Sequence, residues 1–254
     1  MKRRKPTHNV KSRRQQPKSV PASKNIPVDS EPSRSIDIES QIFQAKNKSQ
    51  ELAWNTIKEN NIIFLTGPAG TAKTHLATAY AIINTKKRIY DKVVITRPLV
   101  EAHEHLGWLP GEVQDKVAPY MEPIETCASK IGKKDIEIVT KPIAFMRGVT
   151  FQGCIHILDE AQNCTREQLK LYLTRYGKKC KIIICGDCEQ SDIPDSGLSG
   201  IIEDLKGLPK VGVYNFTTAD IVRHPLVALM VERFNETDKK LKRQATGQQR
   251  RSQR

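Results

Sequence analysis

The chain is predicted to fold as an α/β domain in which helices flank a parallel sheet, and three observations carry that expectation. Short runs rich in Ile and Val, almost continuous in apolar residues, recur between residues 62 and 216, as expected of strands covered on both faces. Stretches with helical spacing separate them, the alternation of a parallel sheet with right-handed crossovers. The first run also leads straight into a glycine-rich loop and then a helix.

In chain order, strands are expected at 62–65, 93–96, 136–139, 155–158, 182–185 and 211–216. Helical spacing appears at 74–84, 165–176 and 225–234. Before and after this alternation the composition changes. Residues 1–36 are rich in Lys, Arg, Ser, Pro and Gln and cannot bury enough apolar surface to offset their ordering entropy. The stretch 239–254 reads the same way. The expected organisation is therefore a basic disordered tail at 1–36, a folded domain at 37–238 and a second basic tail at 239–254.

The charge follows that division. The 254 residues carry 42 Lys and Arg against 28 Asp and Glu, a net charge of +14. Residues 1–24 hold nine basic residues and no acid, and residues 239–254 hold seven and no acid, which leaves −2 for the stretch between them. A basic excess of this size points to nucleic acid, a membrane surface or an acidic partner, and here it belongs to the tails. No run of about 18 apolar residues is present, so a membrane-spanning helix is not expected. The N-terminus has no apolar secretory stretch, and its Arg-rich, acid-free composition lacks the amphipathic spacing of a transit peptide. The six cysteines, several inside apolar runs, read as reduced thiols of a cytoplasmic protein. Cys185 and Cys188 form one C-x-x-C pair, but no second pair at that spacing completes a zinc site.

The loop after the first strand reads Gly67-Pro68-Ala69-Gly70-Thr71-Ala72-Lys73-Thr74, with His75 opening the helix. This is the Walker A arrangement: loop N–H groups cradle phosphate oxygens, Lys73 reaches the β and γ phosphates of ATP, and the Thr74 hydroxyl ligates Mg²⁺. Ala72 stands where the pattern has glycine, at little cost only if that position keeps a negative φ. Asp159 and Glu160 end the strand at 155–158, where Asp159 is expected to hold Mg²⁺ and Glu160 to orient and deprotonate the attacking water. Gln190 follows the strand at 182–185 and is expected to sense the γ phosphate or its water. His103, His105 and His156 have no metal-like partners at useful spacing. Trp108 suits a buried loop anchor or a stacking surface for a base.

These residues, with Thr96-Arg-Pro-Leu-Val-Glu-Ala102, Leu106-Gly-Trp-Leu-Pro-Gly111, Lys116-Val-Ala-Pro-Tyr120, Phe145-Met-Arg-Gly148, Ile157-Leu-Asp-Glu-Ala-Gln-Asn163, Leu173-Thr-Arg175, Gly186-Asp187 and Asp220-Ile-Val-Arg-His-Pro-Leu226, resemble the PhoH family of P-loop ATPases over about residues 44–234. The resemblance implies a RecA-like core related to the ATPase half of superfamily 1 helicases. It implies an adenine-reading role for Gln50 and a coupling role for Gln190. About 190 residues accommodate one such lobe, so the resemblance further implies a head-to-tail ring, a hexamer, in which a neighbour completes the site with an arginine. Arg223 is the first choice for that arginine, ahead of Arg97, Arg147 and Arg175.

Two functions are expected to compete. One is an ATP-hydrolysing ring acting on RNA or single-stranded DNA. The other is a nucleic-acid-binding adaptor that uses ATP as a conformational ligand. Glu160 and Gln190, needed only for hydrolysis, favour the first; Ala72 and the single lobe favour the second.

Overall fold

The computed structural model describes residues 38–98 and 136–223, with parts of 122–132 and 226–237. Both tails, the motifs at 106–111 and 116–120, and the expectations for His103, His105 and Trp108 lie outside the described residues. The helix expected at 225–234 is described only in part, at 226–227, 229–230 and 232–234, all helical.

The order of elements is α1 (Ile38–Ile42), α2 (Lys48–Glu59), β1 (Ile62–Thr66), α3 (Lys73–Lys86), β2 (Lys92–Arg97), β3 (Ile138–Pro142), β4 (Cys154–Leu158), α4 (Arg166–Leu173), β5 (Lys181–Gly186), α5 (Leu198–Leu205) and β6 (Val211–Asn215). Among the described residues the six strands form one sheet in the order β3-β2-β4-β5-β1-β6, and every pairing is parallel. This is the parallel sheet flanked by helices expected from the sequence, with the strand order of a RecA-like P-loop fold.

The apolar runs make strands because both of their faces are covered. Ile63 and Leu65 of β1, Ile95 of β2, Ile155 and Ile157 of β4 and Ile183 of β5 join one cluster with α2 and α3. Their alternate neighbours Phe64, Val94, Leu158, Ile182 and Ile184 join a second cluster with α4 and α5. Each fully buried Ile or Leu side chain contributes about 1.5–3 kcal/mol relative to exposure. The edge strands β3 and β6 are less covered, as the mixed burial of Ile138–Pro142 and Val211–Asn215 shows. The third strand begins two residues later than its apolar run suggested and extends to Pro142. A proline lacks the N–H needed by a central ladder, but an edge strand with one neighbour tolerates it.

Helix ends follow local chemistry. Asn47 caps α2 by accepting from Gln50 N at 2.9 Å. Thr165 and Gln168 form a capping box at α4, so Thr165 precedes that helix rather than opening it. The C-terminal end of α2 is held from the start of β5. Lys181, 3 % exposed, donates its ammonium to the carbonyls of Ile57 and Asn60 and lies 4.9 Å from the Tyr80 ring centroid. Cations at this end of a helix satisfy orphan carbonyls and oppose the dipole.

The six cysteines are free. Cys154, Cys164, Cys180 and Cys185 are buried, and the C-x-x-C pair is split between buried Cys185 and exposed Cys188. Among the described residues no group of three or more His, Cys, Asp or Glu side chains is placed to hold a metal ion. No described helix is long and apolar enough to cross a membrane.

Lys181→Met keeps most of the side-chain volume and removes the donor from two carbonyls. The expected loss is about 1–3 kcal/mol of stability, the cost of leaving buried acceptors unpaired, read from urea unfolding. A loss below about 0.5 kcal/mol, the range of ordinary surface changes, would show that the ammonium does not clamp α2.

Candidate nucleotide site

Because the strands are parallel, their C-terminal ends lie along one edge of the sheet, and the loops leaving that edge meet. β1 delivers the loop Gly67–Thr74, β4 delivers Asp159 and Glu160, and β5, which lies between them, delivers Asp187 and the turn to Gln190. Ligands in open α/β sheets bind at such an edge. A cavity of about 420 Å³ opens there, lined from the loop by Gly70, Lys73 and Thr74 and from the strand ends by Arg97, Asp159, Glu160 and Gln190.

The loop is shaped by backbone that side chains rarely allow. Gly67 has φ 122°, and a Cβ there would run into the carbonyl oxygen of Phe216 just after β6. Gly70 has φ 90°. Thr71 is fully buried and donates its hydroxyl to Pro68 O at 3.0 Å, closing the loop on itself. Lys73 donates to Gly67 O at 2.5 Å and Pro68 O at 2.9 Å, so its ammonium is folded over the loop. Burial pulls the Lys73 ammonium below its ordinary range, while Cys185, Asp187, Glu160 and Asp159 oppose that shift.

Ala72 does not keep a negative φ. It stands at φ 72°, ψ 24°, left-handed, immediately before α3. An L-residue in that conformation costs about 1–2 kcal/mol, so the glycine of the usual pattern is replaced here at the expense of backbone strain.

The acids meet the loop directly. Thr74 donates its hydroxyl to Asp159 Oδ1 at 2.7 Å. Asp159 is 3 % exposed, and burial pushes its carboxyl above the usual range, against the pull of Arg97 and the Thr74 hydrogen bond. A hydroxyl and a buried carboxylate side by side at the mouth of a phosphate-binding loop form a hard oxygen donor pair. That set suits Mg²⁺, which is commonly held by one or two protein oxygens together with substrate phosphates. Glu160 lies beside them with its backbone left-handed at φ 53°. Its Oε1 is 3.0 Å from Arg97 Nη2, and its Oε2 accepts from Gln162 Nε2 at 2.7 Å.

Of the residues singled out from the sequence, Ala69, Gly70, Ala72, Lys73, Thr74, His75, Asp159, Glu160, Gln190 and Arg223 line this one cavity. Gly67 and Pro68 line a second cavity of about 350 Å³ behind the loop, which Gln190 also reaches. Gln50 lines neither. It is buried on α2 with its Oε1 accepting from Lys46 N at 2.9 Å.

Arg223, the first choice for an arginine serving a neighbouring subunit, lies beside the loop of its own chain. Its Cδ lies 3.1 Å from where a Cβ on Gly70 would stand, and Val222 N donates to Gly70 O at 3.1 Å. Arg147 is exposed, and Arg175 donates its Nε to Leu171 O at 3.3 Å at the end of α4. His156 is a core residue, stacked on Phe151 with ring centroids 3.5 Å apart.

Two side chains gain roles that the sequence did not assign. Arg97 pairs with both acids, also lying 3.3 Å from Asp159 Oδ2. Gln162, 7 % exposed, joins Glu160 to the end of β5 by accepting from Asp187 N at 3.0 Å, and Gly186 leaves it room because a Cβ there would crowd its amide oxygen. The available signal was their place in the motifs at 96–102 and 157–163, which marks the residues and not their partners.

Replacing Ala72 with glycine relieves the left-handed strain but loosens the unfolded chain, an entropy term of about 0.4–1 kcal/mol. Ala72→Gly is therefore expected to raise stability by about 0.5–1 kcal/mol net, read as a higher urea midpoint. A midpoint lowered by the equivalent of about 0.4–1 kcal/mol would mean that residue 72 leaves the left-handed region in solution.

With this geometry in place, comparison with known proteins is direct. A family model described as PhoH-like protein matches residues 42–235. The PhoH-like protein of Bacillus subtilis is 41% identical over 205 residues, covering 76% of this chain and 64% of that protein. That of Synechocystis is 38% identical over 211 residues, covering 78% and 64%. Protein PhoH of Escherichia coli K12 is 36% identical over 195 residues, covering 72% and 55%. The match thus takes in 55 to 64% of the length of these relatives. Among solved structures, Pif1 helicase from Candida albicans aligns at a TM-score of 0.35 with 13% identity, over 69% of this chain and 41% of that one, and adds nothing to what the strand order shows. The chain belongs to the PhoH-like family.

Proposed function

We propose that this chain binds ATP and hydrolyses it to ADP and phosphate, and that it does so on RNA or single-stranded DNA as a helicase-like or remodelling ATPase in the cytoplasm. The observation that carries the reading is the meeting of loop and acids in one cavity, with the Thr74 hydroxyl 2.7 Å from the Asp159 carboxylate and Glu160 beside them. A phosphate-binding loop without an acid pair would serve binding alone.

In this reading the N–H groups of Ala69 to Thr74 and the N-terminus of α3 hold the phosphates. Lys73 exchanges its loop carbonyls for β and γ oxygens and balances their charge. Glu160 takes a proton from water as the water oxygen bonds to the γ phosphorus, and the bond from that phosphorus to the bridging oxygen breaks, releasing ADP. Mg²⁺, held by Thr74 and Asp159, supplies further neutralisation of phosphate charge when bound. Gln190, reaching both cavities, reports the state of the γ phosphate, and Arg223 contributes positive charge in cis beside Gly70. Gln50 retains its adenine-reading role only if its amide gives up Lys46.

The domain assignment is an ATPase at 37–238 between basic tails, which collect polyanions with strong salt dependence. Assembly as a hexameric ring is part of the proposal, with a group other than Arg223 crossing between subunits. A second reading, an adaptor that uses ATP as a conformational ligand, is favoured by the strained Ala72 in the loop.

The experiment that tests the function is ATPase rate against protein concentration, with and without RNA and single-stranded DNA. Stimulation by either polymer supports the reading, and a rate indifferent to both favours the adaptor. A rate per subunit that stays constant on dilution counts against a shared site. Lys73→Ala is expected to lose ATP binding. Glu160→Gln should keep ATP bound while turnover falls on the order of 10²-fold or more; turnover at the unmodified rate would remove Glu160 from the base role. Trimming 1–24 and 239–254 should weaken polymer binding and flatten its salt dependence while sparing basal ATPase. A loss of basal ATPase would instead assign the tails to assembly.

A further inference from the structure

We propose that Arg97 is the positioning residue for Glu160, an inference that rests on the reading of Glu160 as hydrolytic base. The strand register creates the contact. Thr96 of β2 pairs with Leu158 of β4, and Asp159 N donates to Thr96 O at 2.9 Å. The residues that follow, Arg97 and then Asp159 and Glu160, therefore emerge side by side where pairing stops.

Glu160 needs support from elsewhere. Its side chain is 45 % exposed, and its backbone is left-handed at φ 53°, outside any regular element. A glutamate in that setting samples several rotamers, and a base must stand within hydrogen-bond reach of one water. Two neighbours remove the freedom. Arg97, 18 % exposed, places Nη2 3.0 Å from Oε1, and Gln162 Nε2 donates to Oε2 at 2.7 Å. The guanidinium makes the stronger hold, since it is permanently charged and its donors lie in a rigid plane. Its second contact, 3.3 Å from Asp159 Oδ2, ties the base to the acid that faces Thr74. One side chain of the same chain thus sets the direction of the carboxylate relative to the phosphate loop.

The alternative is that Arg97, which also lines the cavity, touches the nucleotide itself. The two roles separate kinetically. Acting through Glu160, Arg97→Ala lowers kcat on the order of 10²-fold, as misplacement of a reacting group does, and leaves KM for ATP within about twofold. Arg97→Lys restores charge without the planar fork and recovers part of the loss. In a Glu160→Gln background Arg97→Ala has no further effect on the residual rate, because its partner is gone. A KM that rises in step with the fall in kcat, or an undiminished effect in that background, overturns the proposal. A chain without any ATPase defeats the proposed function, and the hold of Arg97 on the Glu160 carboxylate is then decided by structure. Nucleotide-free crystal structures of the full chain should show one Glu160 conformer in the unmodified protein and in Arg97→Lys, and several in Arg97→Ala. A single conformer in Arg97→Ala overturns it.

Discussion

The site depends on one spacing constraint, the presence of β5 between the strand that carries the phosphate loop and the strand that carries the acids. Each hydrogen-bonded step across a sheet is about 4.8 Å, so two steps hold the end of β1 roughly 10 Å from the end of β4. That gap is wide enough for a cavity and narrow enough for Thr74, projecting from the first turn of α3, to reach Asp159 across it. The isoleucines of β5, buried on both faces, therefore set the width of the site as well as the stability of the sheet.

The charges at the edge follow from the same arrangement. Lys73, Arg97 and Arg223 face Asp159, Glu160 and Asp187 around one cavity, and each buried group has an opposite partner or a hydrogen bond. Buried charges are tolerable when paired, and in a site of low dielectric the pairs also act as fixed dipoles aimed at an incoming ligand. Cations that stand on the chain's own elements are held in place by that chain's own fold.

Much of this was legible in the sequence because the informative residues are adjacent in it. The loop Gly67–Thr74, the pair Asp159 and Glu160 and the strands themselves are local patterns, and local patterns survive in a one-dimensional reading. The third strand slipped by two residues because an edge strand has one neighbour, is only partly covered and carries a weaker apolar signal. Arg97 and Gln162 were not legible as partners of Glu160, since their contacts arise from register between β2 and β4 and from the approach of β5, neither of which is written in any single strand. Arg223 was legible as an arginine of the site, but not its place beside Gly70, because a motif is silent on which loop a side chain rests against. The strain at Ala72 was framed from sequence as a condition on φ, and only the backbone could answer it.

The left-handed backbone at Glu160 has an evolutionary corollary. Glycine and asparagine are the residues most at ease there, so mutation under selection for folding alone would drift toward them at position 160. A glutamate in such a place sits against the local conformational preference. On the proposed role of Glu160, position 160 is thus a point where stability and turnover pull in opposite directions.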